Sequence, residues 1–129
     1  MKKRIIALLA TIIIALPIFA TVVSRATPRW SLVNSITANC VLADDLYFAD
    51  ITAVNDVYKM DIDVILYEKS LFSSYKEVSS IHKTVYNYYH TAFGSYTYSS
   101  LKDYKLETTI KVYTQSGQTE TVTVSEEYT

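Results

Sequence analysis

Nucleophilic, acid–base or metal chemistry in this chain would have to be done with His82, His90 and Cys40, its only two histidines and only cysteine. A Ser-His-Asp constellation needs a nucleophile on a strained turn with a base in hydrogen-bond reach. The sequence has no G-x-S-x-G elbow and only two glycines, so hydrolase chemistry finds no motif. Zinc is no better supported, because two histidines and one thiol on separate strands match no ligand spacing. Both histidines read as polar strand or rim residues. Asp61 and Asp63 project from one face of a strand, while Asp44, Asp45, Asp50 and Asp56 lie in or near turns where hard oxygen ligands could gather around calcium. No loop has the EF-hand spacing with its Gly and closing Glu, which favours a solvated acidic rim. No catalytic residue, metal site or cofactor is expected, and the chain reads as a non-enzyme.

The strongest functional candidate is aromatic. Residues 85–100, "VYNYYHTAFGSYTYSS", are rich in tyrosine and lack charge. Tyr86, Tyr88, Tyr89, Tyr96 and Tyr98 cannot all point inward if side chains alternate along a strand. Tyrosine suits a surface that is partly apolar and still wet, so these five are the candidate binding residues for a protein or glycan. The competing role is to roof an edge of the fold and blunt strand pairing. Trp30, beside Arg29, reads as a plug at the end of the core.

Period-two alternation organises the chain from Ser31 onward. Leu32, Ile36, Ala38, Cys40 and Leu42 share a face, as one long strand or two pieces bent near Asn39. After a turn at Asp44 and Asp45, Tyr47, Ala49, Ile51 and Ala53 form a second inward row. Asn55 and Asp56 turn the chain again. The third row is Tyr58, Met60, Ile62, Val64 and Leu66, with Lys59, Asp61, Asp63 and Lys69 outward and Ile65 and Tyr67 as apolar members of that wet face. Ser70–Ser74 reads as a loop, Tyr75–His82 as a short strand, His90–Tyr98 as the next, and Ser99–Asp103 as a turn.

A hairpin closes the chain. Tyr104, Leu106, Ile110 and Val112 fall on one face of its first strand, and Val122 and Val124 share a face of the second. A two-residue loop would set Val122 against Lys111 and send one apolar set into water. A three-residue loop, Gln115–Gly117, puts the glycine in the left-handed position and sets Ile110 opposite Val122. Seven strands at spacings of about 10 to 15 residues make an antiparallel, immunoglobulin-like β-sandwich. Tyr104, two residues before inward Leu106, stands where such sandwiches place a tyrosine whose hydroxyl bonds back across a corner; a plain core tyrosine is the alternative.

The N-terminus reads as an export signal: Lys2, Lys3 and Arg4, then an uncharged run from Ile5 to Ser24 broken by Pro17. Cleavage after Ala26 or after Ala20, or retention as a membrane anchor, are the options, since about 20 apolar residues can span a bilayer. The expected organisation is residues 1–26 as signal and 27–129 as one β-sandwich domain, lying outside the cytoplasm. Losing Lys2, Lys3, Arg4 and Arg25 leaves 8 basic against 13 acidic residues, a net of −5, with no basic stripe for nucleic acid. The lone Cys40 allows no internal disulfide and reads as a small buried hydrophobe, with an intermolecular bridge or a reactive thiol as the alternative.

Several short motifs give a resemblance. Arg29-Trp30-Ser31, the Leu66, Lys69 and Ser70 element, and the closing Tyr104, Lys105, Leu106, Val112, Tyr113, Gly117, Glu120 and Thr121 make the chain similar to a group of small uncharacterised exported proteins of Gram-positive bacteria. It departs from them at Tyr75 and Ile81, where they carry Trp, and at Lys102 and Asp103, where they carry a Gly. The resemblance implies an exported β-sandwich and nothing catalytic. The resulting expectation is a non-enzymatic extracellular or cell-surface interaction module. Its partner is an unknown protein or glycan, with no nucleic acid, and membrane contact comes only through an uncleaved N-terminus. A secreted effector, such as a toxin, immunity factor or enzyme inhibitor, is the rival.

Overall fold

Alternation along the chain becomes seven strands in a computed structural model that describes residues 30–128. The strands are β1 (Val33–Val41), β2 (Leu46–Ala53), β3 (Val57–Lys69), β4 (Lys76–Val85), β5 (Tyr89–Ser95), β6 (Asp103–Thr114) and β7 (Thr119–Tyr128), with a 3-10 turn at Leu42–Asp44 between the first two. The signal and the cleavage options at residues 1–26 lie outside the described residues. Two antiparallel sheets form, β1-β2-β5 and β4-β3-β6-β7.

Each sheet turns one row of side chains toward the other. Tyr47, Ala49, Ile51 and Ala53 of β2 meet Met60, Ile62, Val64 and Leu66 of β3 and Leu106, Ile110 and Val112 of β6 in one buried cluster. Full burial of each aliphatic side chain contributes about 1.5 to 3 kcal/mol, and this row holds the sheets face to face. Cys40 lies in the same cluster. Burial pushes its thiol up to about 12, so it packs as a small hydrophobe and carries no thiolate.

Bulges shift the register at three places, and two of them correct an expected row. In β1 the pairing steps from Val33↔Ala53 to Ser35↔Thr52, so Asn34 is extra, Val33 is buried and Leu32 only half-buried. In β3 the step from Val57↔Thr114 to Lys59↔Tyr113 buries Val57 and leaves Tyr58 exposed. A third step between Leu66↔Ser79 and Tyr67↔Glu77 makes Val78 extra in β4. One inserted residue reverses parity on one side of it, so strict alternation misassigns whatever lies beyond. Strand limits also differ: β4 runs on to Val85, and β5 stops at Ser95, three residues before Tyr98.

The closing hairpin has the expected register. Ile110 pairs with Val122, and Gly117 takes φ 94°. Its amide donates to Thr114 O (3.1 Å), while the Thr114 amide donates to Gln118 O (2.9 Å), which closes a three-residue loop. Thr109 and Thr123 hydroxyls meet across the wet face at 3.0 Å, a stabilising cross-strand pair.

Candidate functional site

The five tyrosines of residues 85–100 divide between the two ends of β5, about 20 Å apart at strand rise. At one end Tyr86 and Tyr88 occupy the β4–β5 turn and Tyr89 opens β5. Tyr86 is 74% exposed and Tyr89 54%. Asn87 Oδ1 accepts the Tyr88 amide (2.8 Å), and Tyr88 O accepts the Ala53 amide (2.7 Å), so the turn is tied to the three-stranded sheet. The Tyr88 and Tyr89 rings meet edge to face at 5.2 Å.

The aromatic surface continues along the outer face of that sheet. Phe93, 66% exposed, pairs with Phe48 across the β2–β5 ladder, ring centroids 6.2 Å apart. Between Tyr89 and Phe93, the Thr91 hydroxyl donates to Asp50 Oδ1 at 2.8 Å. Phe48 and Phe93 share strand parity with Asp50 and Thr91, and that alternation is the signal in the sequence that places them on this face.

At the other end Tyr96 and Tyr98 face inward. Their rings form a T-shaped triad with Tyr104: Tyr98–Tyr104 at 4.9 Å, Tyr96–Tyr98 at 5.6 Å and Tyr96–Tyr104 at 6.0 Å. Each hydroxyl has a partner. Tyr98 donates to Leu46 O (2.7 Å), and Tyr96 (2.7 Å) and Tyr104 (3.1 Å) donate to Glu68 Oε2. Tyr104 oxygen also accepts the Ser99 amide at 2.7 Å. Lys102 Nζ reaches Glu68 Oε1 at 3.2 Å. Burial works to raise Glu68, but hydrogen bonds from Tyr96, Lys102 and Tyr104 outweigh it and hold the carboxyl below its ordinary range. Burial pushes Tyr96 up to about 12 and Tyr98 further.

Beside this cluster the β3–β4 loop displays Leu71 and Phe72, and the β5–β6 loop displays Leu101. Phe72 is 96% exposed and holds φ 68°, an unfavourable left-handed conformation for a bulky residue. Its Ser70–Ser73 turn is closed by the Ser73 hydroxyl, which donates to Ser70 O and accepts the Ser70 amide, both at 2.9 Å.

The outer face of the four-stranded sheet, by contrast, is internally paired. Asp61 accepts from Thr84 (2.7 Å) and Tyr113 (2.8 Å), which lower its pKa. His82 Nδ1 bonds the Asp63 carboxylate, which raises the imidazole. Lys105 lies over the rings of Tyr67 (4.8 Å) and Tyr75 (5.0 Å) and covers both. His90 faces the core side of β5 opposite Ile51, where desolvation lowers its pKa. The histidines thus lie on different sheets, His82 against Asp63, and Cys40 is buried. The acidic residues are likewise dispersed: Asp44 and Asp45 at the β1–β2 turn, Asp56 at the opposite end, Asp61 and Asp63 on the outer face of β3. Among the described residues no group of three His, Cys, Asp or Glu gathers as a metal set.

No family model and no curated protein matches the chain. Among solved structures, pT26-6p aligns with 64% of this chain at 11% identity and a TM-score of 0.42, and this chain spans 18% of its length.

Proposed function

We propose that the chain is an exported, non-enzymatic interaction module of the extracellular space or cell surface, built as an immunoglobulin-like sandwich. The observation that carries the contact reading is the aromatic surface of Tyr86, Tyr88, Tyr89 and Phe93, presented on a paired strand and its turn. Rigid rings lose little entropy on binding and offer both apolar area and a hydroxyl, the chemistry that protein and glycan partners use. The immunoglobulin-like reading is supported by Tyr104, whose oxygen takes the amide of Ser99 five residues upstream at the start of β6. The strand order differs from the constant-type arrangement only in β4, which pairs with β3 instead of β5. Export is proposed from the basic and then uncharged N-terminal residues.

The test is capture of partners from cell-envelope extracts. Replacing Tyr86, Tyr88 and Tyr89 together by Ser is expected to abolish capture while the far-ultraviolet circular dichroism stays that of the parent. Capture undiminished by all three changes would refute the contact surface. The second reading, a secreted effector or enzyme inhibitor, is favoured by Phe72, a displayed apolar tip on a tightly bonded turn of the kind that could enter another protein's cleft. It predicts instead that Phe72→Ser removes inhibition of a target or of neighbouring cells, with the tyrosine changes silent.

A further inference from the structure

Two open sheets have four edge strands, here β1, β5, β4 and β7. An edge offers unpaired N–H and C=O groups to any other strand, and proteins guard it with charge, bulges or cover. Three of these edges are guarded. β4 carries Lys76, Glu77, His82 and Lys83 and a bulge at Val78. β7 carries Glu120, Glu126 and Glu127. β1 is uncharged, but β7 side chains reach it at both ends: Tyr128 oxygen accepts the Cys40 amide (3.2 Å), and just before the strand the Glu120 carboxylate accepts the amides of Ser31 (2.9 Å) and Leu32 (2.8 Å). β5, "YHTAFGS", has no Lys, Arg, Asp, Glu or Pro, and pairs with β2 without a register shift.

The phase of the ladder shows which groups β5 leaves open. Ala53 donates to Tyr88 O, and Tyr96 donates to Asp45 O. Hydrogen-bonded pairs alternate in an antiparallel ladder, so even-numbered residues from Tyr88 to Tyr96 bond β2. Tyr89, Thr91, Phe93 and Ser95 therefore turn their backbone groups outward, and the same four carry their side chains on the exposed face.

We infer that β5 is a self-pairing edge: two copies of the chain join β5 to β5, antiparallel about a two-fold axis at Ala92, making one six-stranded sheet from two three-stranded ones. In this register Tyr89 faces Ser95 and Thr91 faces Phe93, and every outward N–H and C=O of the four residues finds a partner. The contact is isologous, as two-fold assemblies require. On the exposed face the two Phe93 rings meet diagonally, each flanked by its own Phe48 and by Tyr89 of the other copy. On the inner face β5 itself brings Ala92 against Ala92 at the axis and His90 against Gly94, the one large ring opposite the one residue without a side chain, while β4 packs beside this face. The charges nearest this edge lie off β5, on Asp50 of β2 and on Lys83 of β4, which acts on His90. Asp50, one strand back, is three strand spacings from its symmetry mate, about 14 Å, and the screening length at physiological salt is about 8 Å. A charged foreign strand would gain no ion pair from β5, whereas the neutral edge meets its own sequence without cost.

This deepens the contact-surface reading, on which it rests, by naming the partner as a second copy. Sedimentation velocity of the full chain, in non-ionic detergent that keeps the Ile5–Ser24 run in solution, is expected to show a monomer–dimer equilibrium across a concentration series. Phe93→Lys sets two ammonium groups diagonally across the axis, and Thr91→Pro removes an outward N–H. Each is expected to raise the dimer dissociation constant at least about tenfold, or 1.4 kcal/mol, with circular dichroism unchanged. If Thr91→Pro loses the fold, Phe93→Lys alone carries the test. Gln115→Ala, an exposed change in the β6–β7 loop away from the contact surface, is expected to leave the constant as it was. A chain that stays monomeric throughout the series, or a Phe93→Lys variant that dimerises like the parent, overturns the pairing. Should the tyrosine triple change still abolish envelope capture in that case, the contact surface stands without self-pairing.

Discussion

The two ends of β5 use the same residue for opposite purposes. Tyr96, Tyr98 and Tyr104 lock their hydroxyls onto Glu68, Leu46 and Ser99 and stack edge to face. Tyr86 and Tyr89 hold their rings in solvent. The difference lies in what surrounds each hydroxyl: a buried phenol needs a partner and is fixed by it, while a wet one keeps its ring free to cover something else. A tyrosine count alone therefore cannot separate a structural end from a contact end.

The comparison breaks most sharply at Tyr104, which is 1% exposed. Tyr104→Ala is expected to cost about 3 to 5 kcal/mol through the cavity and the orphaned Ser99 amide, read as a lower denaturant midpoint at unchanged slope. A shift smaller than that of an ordinary surface change would mean that the triad does not hold this end. Next comes Gly94, where an added Cβ would meet the Tyr47 ring at 2.3 Å. Tyr47 spans the sheets to reach Ser79 (2.7 Å) and has little room to move, so Gly94→Ala is expected to destabilise by about 1 to 3 kcal/mol in the same measurement.

Acid sharpens the contrast. Glu68 is held below its ordinary range, so its contribution is fully present above the unfolded value near 4.5 and is lost as pH falls through the lower folded value. Thermal midpoints from about pH 7 down to about pH 3 should therefore fall less steeply for Glu68→Gln than for the parent; parallel curves would remove Glu68 from the account. The smallest effect belongs to the wet end. Tyr86→Ala is expected to change stability by no more than about 0.5 kcal/mol, and a larger loss would show that its ring packs after all.

Much of this architecture was legible in the chain because a strand announces itself locally. Ile110 and Val122 could be paired from parity and one glycine, and the rows Tyr47–Ala53 and Met60–Leu66 needed only a period of two. Tyr58 and Leu32 were misplaced for an equally definite reason: a bulge is an agreement between two strands, and neither sequence alone records it. The candidate site was read as five tyrosines in one run, yet β5 ends between them.

Local alternation therefore determined that the chain folds into sheets, which residues hide together wherever no bulge intervenes, and where the last hairpin turns. Its physical basis is that side chains on an extended backbone have no choice but to alternate. Only the tertiary structure decided which strands became edges, which edges were reached by Tyr128 and Glu120, and which tyrosines found Glu68. Those outcomes depend on groups 28 to 89 residues apart meeting in space, and nothing in the spacing of neighbours encodes them.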